Sequence, residues 1–251
     1  MGKLKLENKV VLIAGGGKNL GGLLSTTFAA KGAKIAIHYN SDSSKAASEE
    51  TLKAVEKAGG EGFLFQADLT KMENITKFFD ETIAKFGGID VAINTAGMVL
   101  KKPYLETSEK EYDQMFDINS KIAYFFIQKA GKKLNDNGKI CTIATSLLAA
   151  YTGLYSTYAG AKAPVEHFTR MASKEFGNRQ ISVTAVAPGP MDTPFFYGQE
   201  SKEAVEYHKS GSALGGLTQL EDIVPIVEFL VTDGWWINGQ TIFANGGYAT
   251  R

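Results

Sequence analysis

Short apolar runs alternate along this chain with longer amphipathic segments, and that alternation restricts its fold more than any other feature. The first run, Val10, Val11, Leu12, Ile13 and Ala14, has no polar residue to turn toward water. That is the mark of a strand buried on both faces. Further strands are predicted over 34–39, 61–66, 89–94, 139–144, 181–186 and 241–244. Helices are predicted between them over 20–31, 44–58, 72–86, 109–134, 155–176 and 219–232. Such a β-α order calls for an α/β fold, a doubly wound parallel sheet with helices on both faces. No repeat, linker or domain boundary interrupts it, so residues 1–251 are expected to form a single domain. The one long irregular segment, 188–218, is Gly-rich, and segments of this kind are often lids or binding loops.

The overall balance excludes several classes of function. The 27 basic residues match the 27 acidic ones, which argues against nucleic-acid binding or adhesion to an anionic membrane. Cys141 is the single cysteine, so no intrachain disulfide can form, and its apolar surroundings suit a buried thiol. Residues 1–9 are charged and lack an apolar signal core, and no run reaches transmembrane length. A soluble, cytoplasmic protein without a metal site is expected.

Two stretches carry chemistry. After the first strand comes a glycine loop containing Gly15, Gly17, Lys18, Asn19, Leu20 and Gly21. Glycines let a backbone turn tightly against a pyrophosphate, and the following helix offers unpaired N–H groups and a positive dipole end. A dinucleotide site commonly also has an acid at the end of the second strand. Here that strand ends at His38, Tyr39 and Asn40, and the first acid, Asp42, falls beyond it. Without a carboxylate to repel it, a 2′-phosphate can be accommodated, with Lys18 as its partner. This favours NADP over NAD. His38 reads as a satisfied strand-end histidine.

The second stretch holds Tyr158 and Lys162, one helical turn apart on a common face. A phenol titrates near pH ~10, too high for proton transfer at neutrality, and a neighbouring ammonium is expected to lower that value.

Together these motifs resemble the short-chain dehydrogenase/reductase superfamily, and most of all its bacterial ketoreductases, which include the β-ketoacyl carrier-protein reductases. The resemblance covers nearly the whole chain. The family pattern T-G-x-x-x-G-x-G falls on 14–21, with Ala14 in place of Thr and Asn19 in place of the middle Gly. Asn tolerates left-handed backbone, so the turn is expected to survive. Asp68 and Leu69 resemble the acidic position near adenine, and Asn94, Thr95, Ala96 and Gly97 resemble the family's N-N-A-G. Pro188, Gly189, Met191 and Thr193 match the segment beside the nicotinamide.

The resemblance implies a Rossmann-like domain, commonly a homotetramer, and hydride transfer between NAD(P)H and a carbonyl. It implies Asn119, Ser146, Tyr158 and Lys162 as catalytic residues, with Thr145 the alternative to Ser146. Tyr158 would give its proton to the developing alkoxide. Ser146 would polarise the carbonyl oxygen, and Asn119 would anchor a water connecting Lys162 to solvent. Substrate contacts are expected from Leu148, Tyr151 and Tyr155 on one side and Pro190 and Phe195 on the other. This apolar, aromatic lining suits a hydrophobic or aryl ketone. A 3-oxoacyl thioester reductase, with Lys101, Lys102 and the 170–174 region as docking charges, is the alternative. A non-catalytic dinucleotide-binding sensor is a further one.

Overall fold

The computed structural model describes residues 3–250. Its parallel strands are β1 (Val10–Ala14), β2 (Lys34–Tyr39), β3 (Glu61–Gln66), β4 (Val91–Asn94), β5 (Lys139–Ile143), β6 (Ser182–Pro188) and β7 (Thr241–Ala244). They form one seven-stranded sheet in the order β3-β2-β1-β4-β5-β6-β7. The helices are α1 (Asn19–Ala29), α2 (Lys45–Lys57), α3 (Met72–Phe86), α4 (Glu109–Phe116), α5 (Ile122–Lys133), α6 (Ser156–Glu175), α7 (Pro194–Tyr197), α8 (Lys202–Gly211) and α9 (Leu220–Val231).

Strands β1, β4, β5 and β6 are buried at every residue, as their apolar runs require. Their side chains alternate between two cores. Val11 and Ile13 join Leu24 and Phe28 of α1 and Val227 of α9 on one face. Val10 and Leu12 join Phe78 and Phe79 of α3 and Phe126 of α5 on the other. Phe79 and Phe126 meet edge to face at 5.3 Å, both fully buried, and truncating either to Ala would cost about 3–5 kcal/mol. The strand order reverses beside β1, with β2 on one flank and β4 on the other. Loops leaving the carboxyl ends of β1 and β4 diverge there, the place where doubly wound sheets hold ligands.

The structure departs from the sequence expectation in two places. The helix predicted over 109–134 is broken by a π-helical turn, Asp117–Lys121. Asn119 causes it: its Nδ2 donates to the Met115 carbonyl at 3.0 Å, competing for an acceptor of the helical ladder. A side chain inserted in this way favours the wider turn. The segment 188–218 is not irregular throughout, because α7 and α8 lie within it. Ser201 caps α8, its Oγ accepting from the Ala204 N–H at 3.2 Å. The base of the segment is closed by a parallel bridge between Met191 and Thr218. Elsewhere element ends differ from expectation by a residue or two. Among the described residues, no helix is long and apolar enough to cross a membrane.

Candidate active site

A cleft of about 1000 Å³ opens over the carboxyl ends of β1 and β4. Its floor is the glycine loop. Gly15 has φ +74°, and a Cβ on it would lie 2.7 Å from Thr95 Oγ1. A Cβ on Gly17 would lie 2.0 Å from Ser48 Oγ, and one on Gly21 would lie 2.2 Å from the Gly15 carbonyl oxygen. Only a bare backbone fits this turn. Asn19 takes the left-handed conformation, φ +48°, which Asn tolerates. No side chain caps α1, and its first residues, Asn19, Leu20 and Gly21, line the cleft. Lys18 stands exposed at the rim.

His38 ties the loop to the neighbouring strands. Its Nδ1 accepts from the Gly15 N–H at 3.0 Å, so its Nε2–H donates to the Ala67 carbonyl at 2.8 Å. Burial pushes the imidazole down to about 4, and it stays neutral at physiological pH. Tyr39 is buried, its hydroxyl donating to Gln66 Oε1 at 3.0 Å, while Asn40 lines the cleft. Asp42 instead accepts from Gln66 Nε2 at 2.9 Å, outside the cleft lining.

The walls come from the next strand ends. Asp68 lines the cleft with Leu69 and closes its own turn, Oδ1 accepting from the Thr70 N–H at 3.0 Å. Asn94, expected to contact the cofactor, closes the turn after β4 by accepting from the Ala96 N–H at 3.0 Å but is buried outside the cleft lining. Pro188, Gly189, Met191 and Thr193 line the opposite wall. Gly189 lies so close to Thr218 that a Cβ would come within 2.7 Å of its Oγ1.

One end of the cleft gathers Thr145, Ser146, Tyr158 and Lys162. Helix α6 presents Tyr158 and Lys162 from one face, and the turn after β5 delivers the two hydroxyls. Lys162 is buried, its Nζ donating to the Ile143 carbonyl at 2.8 Å. Burial pushes this lysine down to about 8. Burial also pushes the Tyr158 phenol up to about 12, against a hydrogen bond from Thr145 that favours the phenolate. The expected depression of the phenol by Lys162 is therefore reversed: desolvation disfavours the charged form of both groups.

Asn119 is 1% exposed and makes a clamp. Its Nδ2 donates to the Met98 carbonyl at 2.8 Å and its Oδ1 accepts from the Met98 N–H at 3.1 Å. A Cβ on Gly97 would lie 3.1 Å from that Oδ1 and 3.3 Å from Lys162 Nζ, so the three residues are close neighbours. Cys141 lies apart, buried within β5, and burial pushes its thiol up to about 12.

The two hydroxyls differ. Thr145 is the one hydrogen-bonded to Tyr158, and its Oγ1 also accepts from the Leu147 N–H at 3.3 Å. Ser146, given precedence in the sequence reading, is buried at the start of a 3-10 turn, Ser146–Leu148. Of the expected substrate contacts, Tyr155, Pro190 and Phe195 line the cleft. Leu148 does not: it packs against the core of Val165 and Ala185. Tyr151 is fully exposed and outside the cleft lining. Gln199, His208 and Tyr248 line the cleft and were not anticipated. Of the three only His208 lies on a helix, α8, whose sequence has few apolar positions to betray it.

The family model described as enoyl-(acyl carrier protein) reductase matches residues 17–249. With the glycine turn, the switch-point cleft and the Tyr158–Lys162 helix in hand, that match decides the family. The chain is a short-chain dehydrogenase/reductase. It is 32% identical over 260 residues to the hydroxynaphthalene reductase-like protein Arp2 of Metarhizium brunneum, covering 98% of this chain and 96% of that protein. A dehydrogenase of Burkholderia cenocepacia, solved with bound NADP, is 60% identical, with a TM-score of 0.96 over 98% of this chain and 96% of that one. The angucycline C-6 ketoreductase LanV, also solved with NADP, is 27% identical, with a TM-score of 0.90 over 97% and 96%. This short-chain dehydrogenase/reductase is accordingly an NAD(P)-dependent oxidoreductase.

Proposed function

We propose that this chain is an NADPH-dependent reductase that reversibly converts a hydrophobic or aryl ketone into a secondary alcohol, with Tyr158 as its general acid. The observation that carries the reading is the meeting of Thr145, Tyr158, Lys162 and the Asn119 clamp at one end of a cleft floored by a glycine cradle. The residues fit a dinucleotide phosphate. A turn that no Cβ could enter faces an uncapped helix end, and no carboxylate lines the cleft at the end of β2. Lys18 is free to pair with a 2′-phosphate at the rim. Bound there, NADPH would supply the hydride for the carbonyl carbon.

The protein side of the reaction follows from the local chemistry. Tyr158, held protonated by burial, donates to the oxygen as it becomes an alkoxide. With the ketone bound, Thr145 would turn its one hydroxyl proton from the phenol to that oxygen, stabilising charge that develops only in the transition state. Lys162 stabilises the phenolate left behind, and a water between Lys162 and Asn119 returns the proton. Asn119 also keeps the Met98 backbone in place beside the substrate. The same reading takes residues 1–251 as one domain, with 188–218 as a lid, working as a homotetramer in the cytoplasm.

The description of the matching family model gives weight to a second substrate, a carrier-protein thioester. Three of the docking charges that such a partner would need are paired here. Lys101 pairs with Glu200, Lys102 with Glu111 at 2.8 Å, and Arg170 with Glu166 at 3.0 Å. The test follows NADPH absorbance with aryl ketones, β-ketoesters and acetoacetyl thioesters. Oxidation with aryl ketones and little with thioesters is expected. Preference for thioesters would overturn the substrate class, and silence with tight cofactor binding would favour a sensor.

A further inference from the structure

Beyond Tyr158 the cleft ends against a buried ionic cluster that the reduction does not use. Glu200, between α7 and α8, has a side chain with no exposed surface. Its Oε2 pairs with Lys101 Nζ, and its Oε1 accepts from the hydroxyl of Tyr155. His208 Nε2 faces the same Oε1 at 3.5 Å. The imidazole proton therefore sits on Nε2, and Nδ1 accepts from the Tyr248 hydroxyl at 2.8 Å. Gln199 is committed too, its Oε1 accepting from the Lys101 N–H at 3.2 Å and its Nε2 donating to the Gly198 carbonyl at 3.3 Å.

Counting protons gives the cluster a definite sign. One lysine charge cancels one carboxylate charge. Both phenol protons are spent, on Glu200 and on His208. Tyr155 and Tyr248 line the cleft, so what they can offer a ligand is the lone pairs of two oxygens. The ring of Tyr155 lies 6.4 Å from that of Tyr158, roughly the span of one aromatic ring plus a contact.

We propose that this cluster is a recognition site for a neutral hydrogen-bond donor, a hydroxyl carried by an aryl ketone about one ring away from the carbonyl being reduced. Anionic substituents at that position are refused, because the Lys101 ammonium in the cluster already belongs to Glu200. The inference rests on the ketone-reductase reading of the cleft and adds a substrate class to it. A site whose polar groups are arranged for one partner discriminates against analogues that lack it far more than an apolar pocket does.

The test uses the whole enzyme with NADPH and α-tetralone, set beside ring-hydroxylated, ring-methoxylated and ring-carboxylated analogues. One hydroxylated isomer is expected to exceed α-tetralone by about tenfold or more in kcat/KM, chiefly through KM. The methyl ether and the carboxylate should do no better than the bare ketone. Tyr155→Phe should erase the preference while leaving NADPH affinity unchanged. Tyr248→Phe, which leaves the contact with Glu200 intact, should weaken it. Equal values for bare and hydroxylated ketones, a preference for the carboxylate, or a preference that survives both variants would overturn the proposal. Absence of turnover with every ketone would instead sink the reductase reading. Calorimetry of the NADPH-loaded protein with a naphthol and its methyl ether then decides the inference alone: tighter naphthol binding that Tyr155→Phe abolishes supports it, and equal binding overturns it.

Discussion

The hydroxyl of Thr145 hydrogen-bonds to the phenol of Tyr158, and the Leu147 N–H holds a lone pair of the same threonine oxygen at 3.3 Å. Its proton is thereby aimed toward the reacting end of the cleft. Thr145→Val should lower kcat by about 10²-fold or more, the usual loss for one donor to a developing oxyanion. Ser146→Ala should cost less than about tenfold by the same comparison. Steady-state kinetics of both variants decide between them, and the reverse order would return the role to Ser146.

Tyr158→Phe removes the proposed proton donor and should lower kcat by about 10²–10⁴-fold with NADPH affinity kept. The pH profile adds a second reading. Burial keeps Tyr158 protonated up to about 12, so the phenol itself does not limit ketone reduction near neutrality. Lys162 loses its proton near 8, and above that value no ammonium remains to stabilise the departing phenolate. Reduction should therefore slow as pH rises through about 8, and Lys162→Met should be slow throughout, without that inflection. An unchanged profile in Lys162→Met would remove the lysine from the proton path.

His38 makes the fold sensitive to acid. The folded protein holds it neutral down to about 4, whereas the unfolded chain takes up its proton near 6.5. Between those values the unfolded state binds more proton, so stability falls as pH falls. The full effect is at most about 3–4 kcal/mol, taking roughly 1.4 kcal/mol for each unit of separation. Urea unfolding midpoints across this range should slope for the native protein and flatten in His38→Gln. Parallel slopes would show that other groups set the acid limit.

Lys18 lines the same cleft as Tyr39 and Asn40 at the end of β2, where Asp42 is engaged by Gln66. Lys18→Ala should weaken NADPH by about tenfold or more, the range for a hydrogen bond to a charged group, and leave NADH nearly unchanged. Fluorescence titration of both cofactors measures it. Equal losses would mean that the 2′-phosphate is held by something else.

Much of this was legible in the sequence because burial on both faces leaves little choice of residue. The strand of Val10 to Ala14 could be nothing but apolar, and a turn that excludes every Cβ had to carry Gly15, Gly17 and Gly21. The π turn at Asn119 was not legible, since no residue between Asp117 and Lys121 breaks a helix by propensity, and the cause is the Asn119 side chain bonding back to the Met115 carbonyl. Helix α8 escaped notice because it buries only Val205 and His208, too few to print an apolar stripe. The order of Thr145 and Ser146 turned on one residue of offset in a loop, which spacing alone does not resolve. Leu148 and Tyr151 sit on a bend whose direction only the packing of Val165 reveals.

The π turn has a meaning in chain length as well as in bonding. It houses one residue more than a regular turn would, so everything from Ile122 onward is rotated relative to Glu109–Phe116 by the roughly 100° that one helical residue spans. A single-codon deletion there would let α4 and α5 fuse into an unbroken rod, a gain in local regularity. It would also swing Phe126 and Ile127 off the β-sheet or Asn119 off Met98, because one rod cannot aim both faces as they are now. Insertions and deletions in this helix should therefore be far less tolerated than substitutions, even on its solvent side.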